Sequence, residues 1–193
     1  MLTTSIRTRA YSLVTLAATV LLAACSDNAP LGPRQHPSLA ALPPALASVE
    51  PDLGACDRLK PPSGSKLAFH VYATGVQIYR WSGSSWTLYG PDATLSSDAG
   101  GNSRVGTHYV GPTWETNSGS KVVGSVIDRC TVDPNAVPWL SLAAVSNGPG
   151  VLSRVTFIQR VNTVGGKAPS TPGAVVGDEA RIPYSAEYFF YRS

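Results

Sequence analysis

Val151-Leu152-Ser153-Arg154-Val155-Thr156-Phe157-Ile158-Gln159-Arg160-Val161 and Tyr184-Ser185-Ala186-Glu187-Tyr188-Phe189-Phe190-Tyr191 alternate in character along the chain and are crowded with β-branched and aromatic residues. Successive side chains of a strand point to opposite faces, so a period of two marks half-buried strands. Lys66 to Tyr72, Val76 to Trp81 and Arg104 to Val110 repeat the pattern. Trp139 to Val145, after Pro138, is continuously apolar except for Ser141, as in a strand buried on both faces; a short buried helix is the alternative. Between these runs lie Ser82-Gly83-Ser84-Ser85, Gly100-Gly101-Asn102, Asn117-Ser118-Gly119-Ser120, Asn147-Gly148-Pro149-Gly150 and Gly165-Gly166, all turn chemistry. Short strands separated by such turns predict an all-β fold, an antiparallel β-sandwich or barrel in a single domain. The 18 glycines, 16 prolines and single methionine agree with a turn-rich chain.

Upstream of the strands the chain changes character. Residues 1–10 carry Arg7 and Arg9 and no acid, Tyr11 to Ala24 is mainly apolar, and Leu22-Ala23-Ala24-Cys25 closes the run. It is too short to span a bilayer, which needs roughly 20 apolar residues, and reads as an export signal over residues 1–24. The closing tetrad resembles a bacterial lipobox, which makes Cys25 the expected lipidation site and the mature N-terminus. An ordinary secretory signal with an incidental cysteine is the alternative. Acyl chains contribute about 0.8 kcal/mol per buried CH₂, so the expected membrane partner is reached through lipid on Cys25. Ser26 stands where some inner-membrane retention signals have Asp, which allows outer-membrane sorting in a source with two membranes. Residues 25–53 are rich in Pro, Ala, Leu and Ser and read as an extended tether. Residues 54–193 form the β domain.

Once Cys25 is lipidated, Cys56 and Cys130 remain as an even pair in an oxidising compartment. A disulfide is the preferred reading and two free buried thiols the alternative; a metal pair lacks further Cys or nearby His.

Ala73-Thr74-Gly75-Val76-Gln77-Ile78-Tyr79, His108-Tyr109-Val110-Gly111-Pro112-Thr113-Trp114-Glu115 and Val137-Pro138-Trp139-Leu140 resemble blocks of a known family, domain of unknown function 3455. Ile158 to Pro169 and Tyr184 to Tyr191 resemble its C-terminal blocks, so the likeness covers roughly Pro61 to Arg192. It implies an extracytoplasmic single domain of bacterial and fungal secreted proteins, and no activity. It also implies one cysteine after the Gln-Ile-Tyr block and another after Gly-Gly-x-Ala-Pro. Arg80 and Gly173 stand near those places here, as if the family's bridge were lost as a unit.

Composition excludes some functions. Of 15 basic residues, Arg7 and Arg9 fall in the signal, leaving 13 against 12 acidic, with no basic run. Nucleic acid is therefore not an expected partner, since phosphate binding needs a concentrated basic face. Gly148-Pro149-Gly150 does not make a dinucleotide site: Ser153 takes the third glycine position and the next segment reads as strand, whereas a helix N-terminus would bind the pyrophosphate. No nucleotide or other cofactor is expected.

Candidate binding residues are His70, His108, Trp114 and Glu115. Two histidines and a carboxylate that converged would make an open two-His, one-carboxylate site, although no tight His-x-His spacing supports it, and no metal ligand is assigned. No nucleophile elbow is present and no paired carboxylates stand out, so catalytic residues are not assigned. Gln77, Arg160 and Asn162 are polar positions inside strand-like runs that either build a buried hydrogen-bond network, the favoured reading, or line a shallow pocket. The expected function is non-catalytic binding of an envelope carbohydrate or protein by a lipid-anchored envelope protein. The alternatives are a metal-dependent or hydrolytic enzyme centred on His108 and Glu115, and a structural envelope component.

Overall fold

The computed structural model describes residues 50–193; the signal, Cys25 and the tether as far as residue 49 lie outside the described residues. Eight strands follow in chain order: β1 Lys66–Trp81, β2 Trp86–Ser96, β3 Arg104–Tyr109, β4 Thr113–Thr116, β5 Lys121–Cys130, β6 Trp139–Asn147, β7 Val155–Gly165 and β8 Glu179–Arg192. Each pairs antiparallel with the next, and β8 pairs antiparallel with β1, so the sheet closes into an up-and-down barrel. Closure settles sandwich against barrel and leaves no unpaired edge.

Local chemistry explains where the elements depart from the sequence pattern. The two runs around Ala73-Thr74-Gly75 are one strand, because Gly75 serves close approach and not a turn: a Cβ there would lie 2.2 Å from the Asp92 carbonyl oxygen and 2.5 Å from Ala93 Cα. β2 and β5 escape the pattern because much of each faces solvent and each carries glycine. Trp139 to Val145 lies in strand β6 and not in a helix. Val151 to Arg154 is a turn, and it carries the buried Leu152. Leu152 is held by its N–H donating to Ser120 Oγ at 3.0 Å.

The core has two parts, separated by the barrel wall. Val71, Ala73, Leu95, Trp114, Leu142, Ile158, Tyr188 and Phe190 belong to the larger cluster, which fills the interior. Phe157, Val161, Phe189 and Tyr191 alternate with interior residues and pack on the other side of the wall, with Leu53, Leu59 and Cys56. Burial on both faces is why Tyr188-Phe189-Phe190-Tyr191 is unbroken; each such side chain contributes roughly 1.5–3 kcal/mol.

The 3-10 segment Gly54–Leu59 supplies the outer cover. The Cys56–Cys130 disulfide, spanning 74 residues, ties it to the end of β5. Gln159 Nε2 donates to the Leu59 carbonyl at 2.7 Å, and Tyr191 OH donates to Gln159 Oε1 at 2.6 Å. Packing begins within the stretch read as tether, since Leu53 is already buried.

The missing family cysteines also find a place. A Cβ at Gly173 would lie 2.8 Å from Trp81 Cβ, so the chain after the Gly-Gly-x-Ala-Pro block rests on the residue next to Arg80. Trp81 and Trp86 pack together there, and Trp86 Nε1 donates to the Thr171 carbonyl.

Candidate functional site

A barrel of eight strands has an interior just large enough for packed side chains or one small ligand. This barrel divides its interior between the two uses. Trp114 on β4 is 1% exposed and borders a cavity on either side. Its ring stacks on His108 at 4.3 Å between centroids and meets Tyr188 and Phe190 edge-on. Gly124 makes room for it: a Cβ there would lie 2.9 Å from the indole ring.

Toward one end lies a cavity of about 200 Å³ bordered by Phe69, Val71, Leu95, Val105, Leu152 and Phe190. Toward the other end lies a cavity of about 500 Å³, within the 300–1,000 Å³ usual for small-molecule sites. Its walls combine apolar side chains from β5 and β6 with Gln77 and Tyr79 from β1, His108 from β3, Arg160 from β7 and Tyr188 from β8.

These polar groups are buried but incompletely paired. Arg160 is 8% exposed; its Nε and Nη2 donate to the Pro138 carbonyl at 3.2 and 2.8 Å. No carboxylate pairs with it among the described residues. Gln77, Tyr184, Tyr188 and Arg160 lie against one another, but Gln77 Nε2 and the two tyrosine hydroxyls, all wholly buried, make no hydrogen bond of good geometry. Tyr79 OH is engaged, donating to the Gly166 carbonyl at 2.7 Å.

Burial takes His108 down to about 3, with the nearby Arg160 acting in the same direction and the Thr113 carbonyl opposing. The ring is therefore neutral at ordinary pH. Nδ1, 2.8 Å from the Thr113 carbonyl oxygen, carries the donating hydrogen, which leaves Nε2 as an acceptor. Burial likewise raises Tyr188 and Tyr184, so both phenols keep their protons.

The structure separates the residues that a metal or hydrolytic centre would require together. His108 and Trp114 are cross-strand partners, and both point into the barrel. Glu115 is the next residue on β4 and engages Tyr109 OH at 2.7 Å and Lys121 Nζ at 3.2 Å on the other face. Those two partners hold the Glu115 carboxyl below the usual range. His70 stacks on Phe189, and its Nε2 lies 2.7 Å from Glu187 Oε2. Burial lowers His70 against the raising pull of Glu187. Among the described residues, no three His, Cys, Asp or Glu side chains gather into a metal-holding group.

Of the polar strand positions, Gln77 and Arg160 line the large cavity, whereas Asn162 sits outside at a bulge with φ +50° and donates to Glu187 Oε1. The network reading is corrected for Asn162 alone, which is on the opposite face; Gln77 and Arg160 lie in one buried polar group with Tyr184 and Tyr188 and also line the cavity. Tyr188 is the functional candidate that pattern reading misses. Its even spacing with Tyr184, Ala186 and Phe190 marks it as inward-facing, but nothing local shows that its hydroxyl lacks a partner.

A family model described as Protein of unknown function (DUF3455) matches residues 62–192. The chain belongs to the DUF3455 family. The match runs from just before β1 to the end of β8, so the DUF3455 domain is the barrel, and the whole cavity wall lies within it. Cys56 precedes the match and Cys130 falls inside it, so the bridge ties a segment outside the DUF3455 domain to the barrel. No curated protein and no solved structure matches the chain. The formed disulfide is in keeping with an oxidising, extracytoplasmic compartment, and no helix among the described residues is long and apolar enough to cross a membrane.

Proposed function

We propose that this DUF3455 chain is a lipid-tethered extracytoplasmic binding protein that holds a small molecule inside the wide end of its barrel, without catalysis. The observation that carries the reading is the cavity of about 500 Å³, whose mostly apolar wall includes Arg160 with no acid beside it. A guanidinium on the wall of a cavity with no acid beside it is suited to an occupant that supplies the missing charge. A concave, mostly apolar cavity with a few convergent polar groups is also the usual form of a ligand site. This favours a small molecule over the wall carbohydrate or protein partner that the sequence suggests. The enzyme alternative loses support because His108 and Glu115 face opposite sides of the sheet. A ring with a pKa of about 3 is moreover a weak base at neutral pH.

The lipid tether follows from Cys25 at the end of an apolar run. Native mass spectrometry of the protein purified from its own membrane tests both claims. The expected spectrum shows acyl mass on Cys25, absent in Cys25→Ser, and a non-covalent small-molecule adduct released on unfolding. An unacylated chain refutes the tether. A bare barrel that remains bare after incubation with a cell extract refutes the binding reading.

A further inference from the structure

Arg160 narrows the chemistry of the occupant. The Nε and Nη2 groups of its guanidinium meet one carbonyl oxygen, that of Pro138, which leaves the edge formed by Nη1 and the second hydrogen of Nη2, beside the Tyr188 hydroxyl, without a carbonyl or carboxylate acceptor among the described residues. No Asp or Glu lines the cavity, whereas a second guanidinium, Arg129, stands at its exposed rim. An uncompensated cation in a largely dry site costs several kcal/mol, and a planar oxyanion across the free edge is the partner that offsets it best, through two parallel charge-assisted bonds. A cationic ligand would face Arg160 with no acid to receive it. The rest of the wall is apolar, with Leu88, Val110, Val126, Leu140, Leu142 and the Trp114 ring.

We propose that the cavity binds an amphiphilic monocarboxylate, its carboxylate on the free edge of Arg160 and its apolar body against Trp114. The inference rests on the reading of this cavity as a binding site, and it adds the charge and shape of the ligand. One buried guanidinium matches a single negative charge; a dianionic phosphate would carry a second charge into an apolar wall. His108 Nε2, the acceptor beside the site, gives a hydroxyl or N–H on the ligand body a place to donate.

The test is calorimetric titration of the purified full chain with octanoate and indole-3-propionate, each against its carboxamide, and with inorganic phosphate. The expected result is a carboxylate preference of about tenfold or more over the amide, with phosphate not competing. Arg160→Met removes that preference, Arg160→Lys keeps part of it, and Arg154→Ala, exposed in the β6–β7 turn and away from the cavity, leaves it within about twofold. Thermal melting of Arg160→Met shows that the variant is folded, and the amide titration shows that its cavity is intact. Equal binding of acid and amide by the unchanged protein, or a preference that survives in Arg160→Met, overturns the carboxylate while leaving a binding cavity in place. Stronger binding of phosphate than of either acid also overturns it. No binding of any probe up to about 1 mM overturns both the carboxylate and the cavity reading.

Discussion

The two ends of the barrel are built from the same eight strands, yet they treat polar groups in opposite ways. At the narrow end Leu152 reaches in from the β6–β7 turn, Phe69 stacks on Phe190 at 4.6 Å, and the polar atoms of the turn are spoken for, with Ser146 Oγ donating to the Leu152 carbonyl and Ser120 Oγ accepting from the Leu152 N–H. At the wide end Arg160, Gln77 and Tyr188 are buried with bonding capacity unused. On the proposed reading, stability and ligand binding occupy different ends, with Trp114 as the partition. Well-packed apolar side chains in place of Arg160 and its polar neighbours would stabilise the wide end at least as well.

This contrast can be broken most forcefully at the narrow end. Phe190→Ala removes a fully buried ring and is expected to destabilise by about 3–5 kcal/mol, a fall in Tm of roughly 10 °C or more by calorimetry. A fall of only a degree or two would mean that the narrow end is not the structural one. Outside the wall, Cys56→Ser with Cys130→Ser is expected to cost up to about 4 kcal/mol, read as a lower urea midpoint, because the bridge closes a long loop. An unchanged midpoint would show that the outer cover holds without its bridge.

At the wide end, His108 sharpens the comparison through pH. Burial takes its pKa from the ordinary 6.5 to about 3 in the folded chain, so between those values the unfolded chain binds a proton that the folded chain does not. Stability from this group is fully present above about pH 6.5 and is lost as pH falls toward 3, at up to about 1.4 kcal/mol per pH unit. His108→Gln, which keeps a donor for the Thr113 carbonyl but cannot titrate, is expected to flatten this slope between about pH 6 and pH 4 in denaturant melts. Equal slopes in both proteins would place His108 in contact with water. The smallest effect is expected from Tyr188→Phe, which removes a hydroxyl that has no partner: Tm should stay level or rise slightly, whereas a fall would reveal a structural bond to that hydroxyl.

Much of the fold was legible in local pattern because closure of an antiparallel sheet needs only alternation and turns, and Val155 to Val161 and Tyr184 to Tyr191 show both. The disulfide was legible as the only even pair left after Cys25. The extent of β1 was not, since Gly75 looks like a turn residue until β2 is seen pressed against it. Nor was the site. His70, His108 and Glu115 share residue types, but the faces they occupy depend on register, and a single step along β4 separates Trp114 inside from Glu115 outside. Arg160 was visible as a polar residue in a strand, but that it lacks an acid is a property of all the walls together, which no local window contains.

The four tryptophans supply the most direct test, because only Trp114 borders the large cavity. Indole N–H resonances of the ¹⁵N-labelled protein would be followed during titration with indole-3-propionate. Binding in the wide end predicts that the Trp114 signal shifts and saturates while those of Trp81, Trp86 and Trp139 stay in place. A titration that moves the outer tryptophans and leaves Trp114 unchanged would contradict an interior site and would assign ligand recognition to the barrel's outer surface.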